Sequence, residues 1–193
     1  MSSADAAGPV DCVVKVGGGL LADTAVFDAV LAAVAGAARL RRVLVVPGGG
    51  PFADAVRGVD ARFRLPDSAA HWMAVLAMDQ YAHLIAARMP GAVVIDRPGE
   101  VAADCIPVLA PYAWLREADP LPHSWDVTSD SIAAWVAGRL GARRLILVKP
   151  PGVERPDESV DPYFARALPA DVEATIVAAD RIEAIRSALS RSG

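Results

Sequence analysis

The chain is poor in the residues that would commit it to a stapled, membrane-spanning or nucleic-acid-binding role. Two cysteines among 193 residues cannot build a disulfide framework, and Cys12 and Cys105 lie in apolar runs that read as buried thiols. No uninterrupted apolar stretch approaches the ~20 residues of a spanning helix, although 54% of the residues are hydrophobic and mean hydropathy is +0.34. That surplus is largely alanine, as in Ala22–Ala38, which suits close helix packing. Met1–Pro9 has neither a basic start nor an apolar signal core. A long Lys/Arg run is missing too, and the net charge of −4 with a pI near 5.3 argues against general nucleic-acid binding. His71, His83 and His123 make no zinc spacing with the cysteines, and no Ser-His-Asp or Cys-His set is evident. These absences leave a soluble, cytoplasmic protein that handles a small molecule, with no nucleic-acid or membrane partner and no metal ligands of its own.

What is present alternates. Short β-branched runs, Cys12–Val16, Val43–Val46, Ala92–Ile95, Cys105–Leu109, Leu145–Val148 and Thr175–Val177, are separated by alanine-rich helical stretches. Asp23 is placed to cap a helix reaching about Leu40. A short helix is expected near Phe52–Arg57, and Asp67 or Ser68 should cap the longest, Ala69–Met89, which Pro90-Gly91 closes. Pro111 leads into a short helix, Thr128 or Ser129 caps one to about Leu140, and Asp180 with Glu183 resembles a capping box for the last. Strands that are continuously apolar point to buried parallel pairing. The fold class is therefore α/β, a three-layer αβα sandwich around a mainly parallel sheet. The length suits one compact domain, residues 10–193, after a short tail, 1–9. Pro150–Pro162 reads as a surface loop, and Arg116–Val127 lacks periodicity and should sit above the sheet.

Two strand-to-helix turns carry triple glycines: Gly17, Gly18 and Gly19 after the first strand, and Gly48, Gly49 and Gly50 after the second. Ligands of open parallel sheets bind beyond the carboxyl ends of the strands. There glycine lets backbone amides approach an anion, and the next helix N-terminus adds partial positive charge. Both turns fit G-x-G-x-x-A, yet the second strand ends without the acidic residue that a dinucleotide ribose needs. Neither continues as Gly-Lys-Ser/Thr, so a Walker loop fails as well. A polyphosphate site and plain tight turns both stay open.

Lys15 lies one residue before the end of a strand that reads as buried, a costly place for an ammonium unless it meets an anion or a carboxylate. On an edge strand it would instead snorkel to water. Lys149 repeats the pattern at the end of Leu145–Val148. Asp130, in the first turn of its helix, is either a helix-dipole partner or the carboxylate that holds the lysine ammoniums apart. Spacing alone does not choose.

Together these segments resemble the amino-acid kinase family, which includes acetylglutamate, aspartate, uridylate and isopentenyl phosphate kinases. The resemblance rests on Lys15–Gly19, Pro47–Ala53, Thr128–Ala134 and Leu145–Lys149. Pro122–Ser131 and Ala70–Tyr81 are similar to one branch, the small kinases acting on (5-aminomethyl-furan-3-yl)methyl phosphate in methanofuran biosynthesis. The resemblance implies transfer of the ATP γ-phosphoryl group to a small-molecule phosphate monoester, with magnesium accompanying ATP and with self-association into a homo-oligomer. Lys15, Asp130 and Lys149 would be catalytic, Gly17–Gly19 would hold the ATP phosphates, and Gly48–Gly50 the acceptor. The nucleotide-side segment beyond Lys149 is reduced relative to the family. An isopentenyl or nucleoside monophosphate acceptor, or a non-catalytic nucleotide or oxyanion binder of the same fold, is the alternative.

The remaining candidates follow from placement. Arg57, one helical turn past the second glycine loop, is expected at the acceptor phosphate. His123, Trp125 and Asp126 belong to a Pro-flanked turn suited to close over substrate. An aminomethyl-furan acceptor calls for an acidic partner, with Asp54, Asp79, Asp104 and Asp126 as candidates. His71 shares a helix face with Val75, Met78 and Ala82 and reads as a packed core histidine.

Overall fold

The computed structural model describes residues 10–99, 104–153, 155 and 158–191. Its strands are β1 (Cys12–Val16), β2 (Val43–Pro47), β3 (Ala92–Ile95), β4 (Ile106–Leu109), β5 (Arg144–Lys149) and β6 (Glu173–Ala178). They form one sheet in the order β3-β4-β2-β1-β5-β6, and every pairing is parallel. The helices are α1 (Thr24–Ala38), α2 (Gly50–Phe63), α3 (Asp67–Arg88), α4 (Tyr112–Ala118), α5 (Ser129–Arg139), α6 (Phe164–Ala167) and α7 (Ile182–Ser190). β1, β2 and β5 are buried at every position, which is why their sequences are apolar throughout rather than alternating.

The period-two geometry of a strand sorts side chains onto two faces. Val14, Val16, Ile146 and Val148 pack with Phe27, Val30 and Leu31 of α1 and Ile185 of α7. Val13, Leu145 and Leu147 pack on the other face with Ile132 and Val136 of α5. The long α3 serves both cores: Trp72, Val75 and Met78 join the second, Tyr81 and Ile85 the first. From β1 the chain adds β2, runs out to the edge strand β3, comes back to place β4 between β3 and β2, then crosses to the other side of β1 for β5 and β6. That reversal places the ligand-binding crevice of an open sheet beside the carboxyl ends of β1 and β5.

Asp23 caps α1 as expected, its Oδ1 accepting from Ala25 and Val26 amides at 2.9 and 3.1 Å. Thr128 caps α5. Four local expectations need correction. A 3-10 turn, Gly18–Ala22, intervenes before α1. α2 runs on to Phe63; its second half is exposed and carries little apolar pattern to mark its extent. α3 starts after Pro66 with no side-chain cap, and α7 lacks the Asp180–Glu183 box: Asp180 accepts from the Gly152 amide instead, while Glu183 pairs with Arg186. Both cysteines are free, but only Cys12 is buried; Cys105 is partly exposed, just ahead of the first paired residue of β4. Among the described residues no helix is long and apolar enough to cross a membrane.

Candidate active site

The register of β1 on β5 sets Lys15 opposite Leu147, so Lys149, two residues on, faces the same side of the sheet. They are the chain's two lysines. Each is only 5% exposed; β1 is a central strand, and the edge-strand alternative for Lys15 is excluded. Asp130 projects from the first turn of α5 between them. Its Oδ1 lies 2.9 Å from Lys15 Nζ, and its Oδ2 accepts from Lys149 Nζ at 2.6 Å. Lys149 also donates to the Ser159 carbonyl at 2.7 Å. The ion pair with Asp130 is the one polar contact of Lys15 among the described residues, and an ammonium with three N–H donors has others left for a further acceptor.

Burial pushes the Asp130 carboxyl up, but the two ammoniums outweigh it and hold the acid below the ordinary carboxylate range. Burial lowers Lys149, the like charge of Lys15 adds to this, and Asp130 opposes it. Asp161, which the sequence reading did not single out as a site residue, fixes the turn that carries Asp130. It accepts from the Thr128 amide at 2.9 Å, the Thr128 hydroxyl at 2.7 Å, the Ser131 amide at 3.0 Å and the Ser131 hydroxyl. A carboxylate at a helix N-terminus satisfies amides that have no intrahelical acceptor.

The glycine loops meet back to back. A Cβ on Gly18 would lie 2.1 Å from the Gly50 amide nitrogen, and one on Gly48 would lie 2.7 Å from that of Gly18. Glycine is required here by backbone-on-backbone approach, not by turn propensity alone. Gly17 and Gly48 anchor the loops, donating to the Val148 and Val16 carbonyls at 3.0 and 2.8 Å. The Gly17 carbonyl accepts from the fully buried Tyr81 hydroxyl at 3.1 Å, a positioning contact the sequence did not announce. Gly18 opens the 3-10 turn and Gly50 opens α2, and opening amides lack acceptors in their own helix. A Cβ on Gly17 would sit 3.7 Å from Lys15 Nζ, so the first loop and the lysine share one locality.

A cavity of about 240 Å³ joins both loops. Gly18, Gly19, Gly49 and Gly50 form one end, α2 contributes Asp54 and Arg57, α3 contributes Asp67 and His71, and the segment before α5 contributes Ser124 and Trp125. Arg57 pairs with Asp54 at 3.0 Å and lies over the Trp125 ring, 4.7 Å from its centre. Trp125 in turn donates its Nε1 to Asp60 at 2.8 Å. Trp125 thus ties the end of the 116–127 stretch to α2, while residues 116–118 at its start belong to α4.

His123 does not line this cavity. Its ring bonds to Ser68 at 2.8 Å and to Asp119 at 2.8 Å, and it stacks on His71 with centres 4.4 Å apart. His71 is 8% exposed and belongs to the cavity wall, not to the core alone. Burial and the neighbouring His123, opposed by Asp119, lower its pKa to about 4. Of the acidic candidates only Asp54 is in the wall. Asp79 accepts from the Tyr112 amide at the start of α4, Asp104 is exposed near the start of β4, and Asp126 is exposed on the pinned segment. Asp67, read in the sequence only as a helix cap, lines the cavity instead.

The chain is similar to known proteins in sequence and in fold. A profile of the amino acid kinase family matches residues 12–97, which include Lys15 and both glycine loops. The chain is 29% identical over 140 residues to the [5-(aminomethyl)furan-3-yl]methyl phosphate kinase of Methanocaldococcus jannaschii, covering 70% of this chain and 63% of that one. Uridylate kinase from Archaeoglobus fulgidus superposes with a TM-score of 0.54 at 16% identity, over 72% of this chain and 63% of that one. UMP kinase from Ureaplasma parvum gives 0.53 at 15%, over 74% and 66%. The α/β sheet architecture is that of these kinases, and the chain spans just under two thirds of their length.

Proposed function

We propose that the chain is a small-molecule kinase that transfers the γ-phosphoryl group of ATP to a phosphate monoester, with [5-(aminomethyl)furan-3-yl]methyl phosphate as acceptor. One observation supports this reading: two buried ammoniums share the Asp130 carboxylate beside Gly17, behind the loop whose Gly18 and Gly19 line the cavity together with Gly49 and Gly50. Buried ammoniums are costly unless an anion meets them, and Lys15 has N–H groups to give.

The acceptor phosphate is already largely ionised at neutral pH, so its oxygen needs no general base. The barrier is repulsion between an anionic nucleophile and a polyanionic nucleotide. Catalysis then comes from alignment and charge neutralisation. In this scheme Lys15, with the Gly17–Gly19 loop, faces the transferring group. Gly49 and Gly50 hold the acceptor phosphate, and Asp130 keeps the two ammoniums oriented rather than taking a proton. The donor set suits a nucleotide's phosphates. Among the described residues no cluster of three His, Cys, Asp or Glu side chains is placed to ligate a metal; magnesium would be held by the phosphates it accompanies.

The test is ADP release with a panel of acceptors: the aminomethyl-furan phosphate, isopentenyl phosphate and UMP. Turnover that depends on the furan phosphate is the expected result. Preference for another acceptor moves the substrate assignment. Tight ATP binding with no acceptor-dependent turnover overturns the kinase reading in favour of a binder. Self-association into a homo-oligomer belongs to the same proposal, and a monomer mass by light scattering overturns it.

A further inference from the structure

Helix geometry gives the cavity a direction. α2 leaves the glycine loops at Gly50 and reaches Arg57 seven residues on, roughly 10 Å away at 1.5 Å per residue. α3 packs against it and lines the same cavity from Asp67 to Met78, eleven residues or roughly 16 Å. One end is therefore made of phosphate-seeking amides, while charged side chains collect away from it. Those charges are not equivalent. Arg57 is already engaged by Asp54 and by the Trp125 ring. Asp67 is exposed and has no ion pair or hydrogen-bond partner for its side chain among the described residues. Beside it on α3, His71 is more than nine-tenths buried, lines the cavity, and makes no hydrogen bond with any described residue.

From this arrangement we infer that Asp67 and His71 form an ammonium subsite, which selects acceptors carrying a protonated amine at the end opposite the phosphate. The inference rests on the kinase reading above and adds the residues that read the far end of the substrate. The ammonium donates to the Asp67 carboxylate and to the open imidazole nitrogen. Burial keeps that imidazole uncharged at neutral pH, as an acceptor facing a cation must be. His123, held from both ring nitrogens by Ser68 and Asp119, stacks on His71 and fixes its plane. Asp67 meets the amine directly, so it is a binding residue and takes no part in the transfer.

The experiment compares two acceptors of equal size, the aminomethyl-furan phosphate and its hydroxymethyl counterpart, on the full chain and on Asp67→Asn. Asparagine keeps a polar group at the start of α3, so the fold is preserved. KM is expected to favour the amine at least tenfold in the parent, the effect of one charge-assisted hydrogen bond, and the ratio should collapse toward one in the variant. Asp67→Glu should restore part of it. An unchanged ratio in Asp67→Asn overturns the inference, even if both constants worsen together. Calorimetric binding of the same two compounds gives a readout independent of turnover. If neither acceptor is phosphorylated, the kinase reading fails, and the subsite is judged on binding alone: amine preference lost in Asp67→Asn supports it, and absence of preference in the parent refutes it.

Discussion

At the level of single residues, the buried triad dominates. In the proposed scheme, removing Lys15 strips the transferring group of an ammonium while Asp130 keeps Lys149. Lys15→Ala is expected to lower kcat at least ~100-fold with an unchanged circular dichroism spectrum; turnover near the parent level refutes the role. Asp130→Asn does something different. It leaves two buried ammoniums facing each other without their shared counter-charge, a loss of about 3–5 kcal/mol in comparable buried pairs. A fall in Tm together with loss of turnover is expected, and a variant as stable as the parent contradicts the account. What the sequence disclosed at this scale follows from chemistry. Lys15 and Lys149 stood out because ammoniums are misplaced in apolar strands. Tyr81, Asp60 and Asp161 did not, because a tyrosine or an acid on a helix, or an acid in a loop, is ordinary until a distant partner is seen to meet it.

At the level of elements, the glycines divide into those pressed against another backbone and those with open space around them. Gly18 is pressed against Gly50, whereas Gly36, inside α1, has nothing within 4 Å of the position its Cβ would take. Gly18→Ala should force the loops apart, lowering both stability and kcat. Gly36→Ala should stabilise the chain by about 0.5–1 kcal/mol, from helix propensity alone. Chemical denaturation of the pair checks both signs, and equal effects would remove the argument for close approach. The strands were legible because burial on both faces demands continuous apolar runs, as in Val43–Val46. The extension of α2 past Arg57 was not, since Gly58, Asp60 and Arg62 give an exposed helix no apolar stripe. Nor was the absence of a capping box on α7. Asp180 has the right spacing, but the loop after β5 offers it the Gly152 amide.

For the molecule as a whole, stability should depend on pH through an acid outside the triad. Burial pushes Asp79 up to about 6; the Tyr112 amide opposes this, Asp96 adds to it and His83 opposes it. A carboxyl with a raised folded pKa binds its proton more tightly in the folded state, so its contribution to stability falls as pH rises from about 4 through 6. Asp79→Asn keeps an oxygen for the Tyr112 amide and removes that slope. Calorimetric Tm values should show the variant gaining on the parent between about pH 4.5 and pH 7.5; a constant offset across that range contradicts the assignment. Asp130 has the opposite sign, since its stabilising charge is lost only as pH falls through its depressed value.

Every side-chain amine of this chain converges on the carboxylate of Asp130. Isotopic enrichment of lysine alone, which leaves the amines chemically unchanged, would therefore place every lysine signal at one location. The two side-chain resonances would report any anion that docks beside Gly17, without overlap from surface lysines.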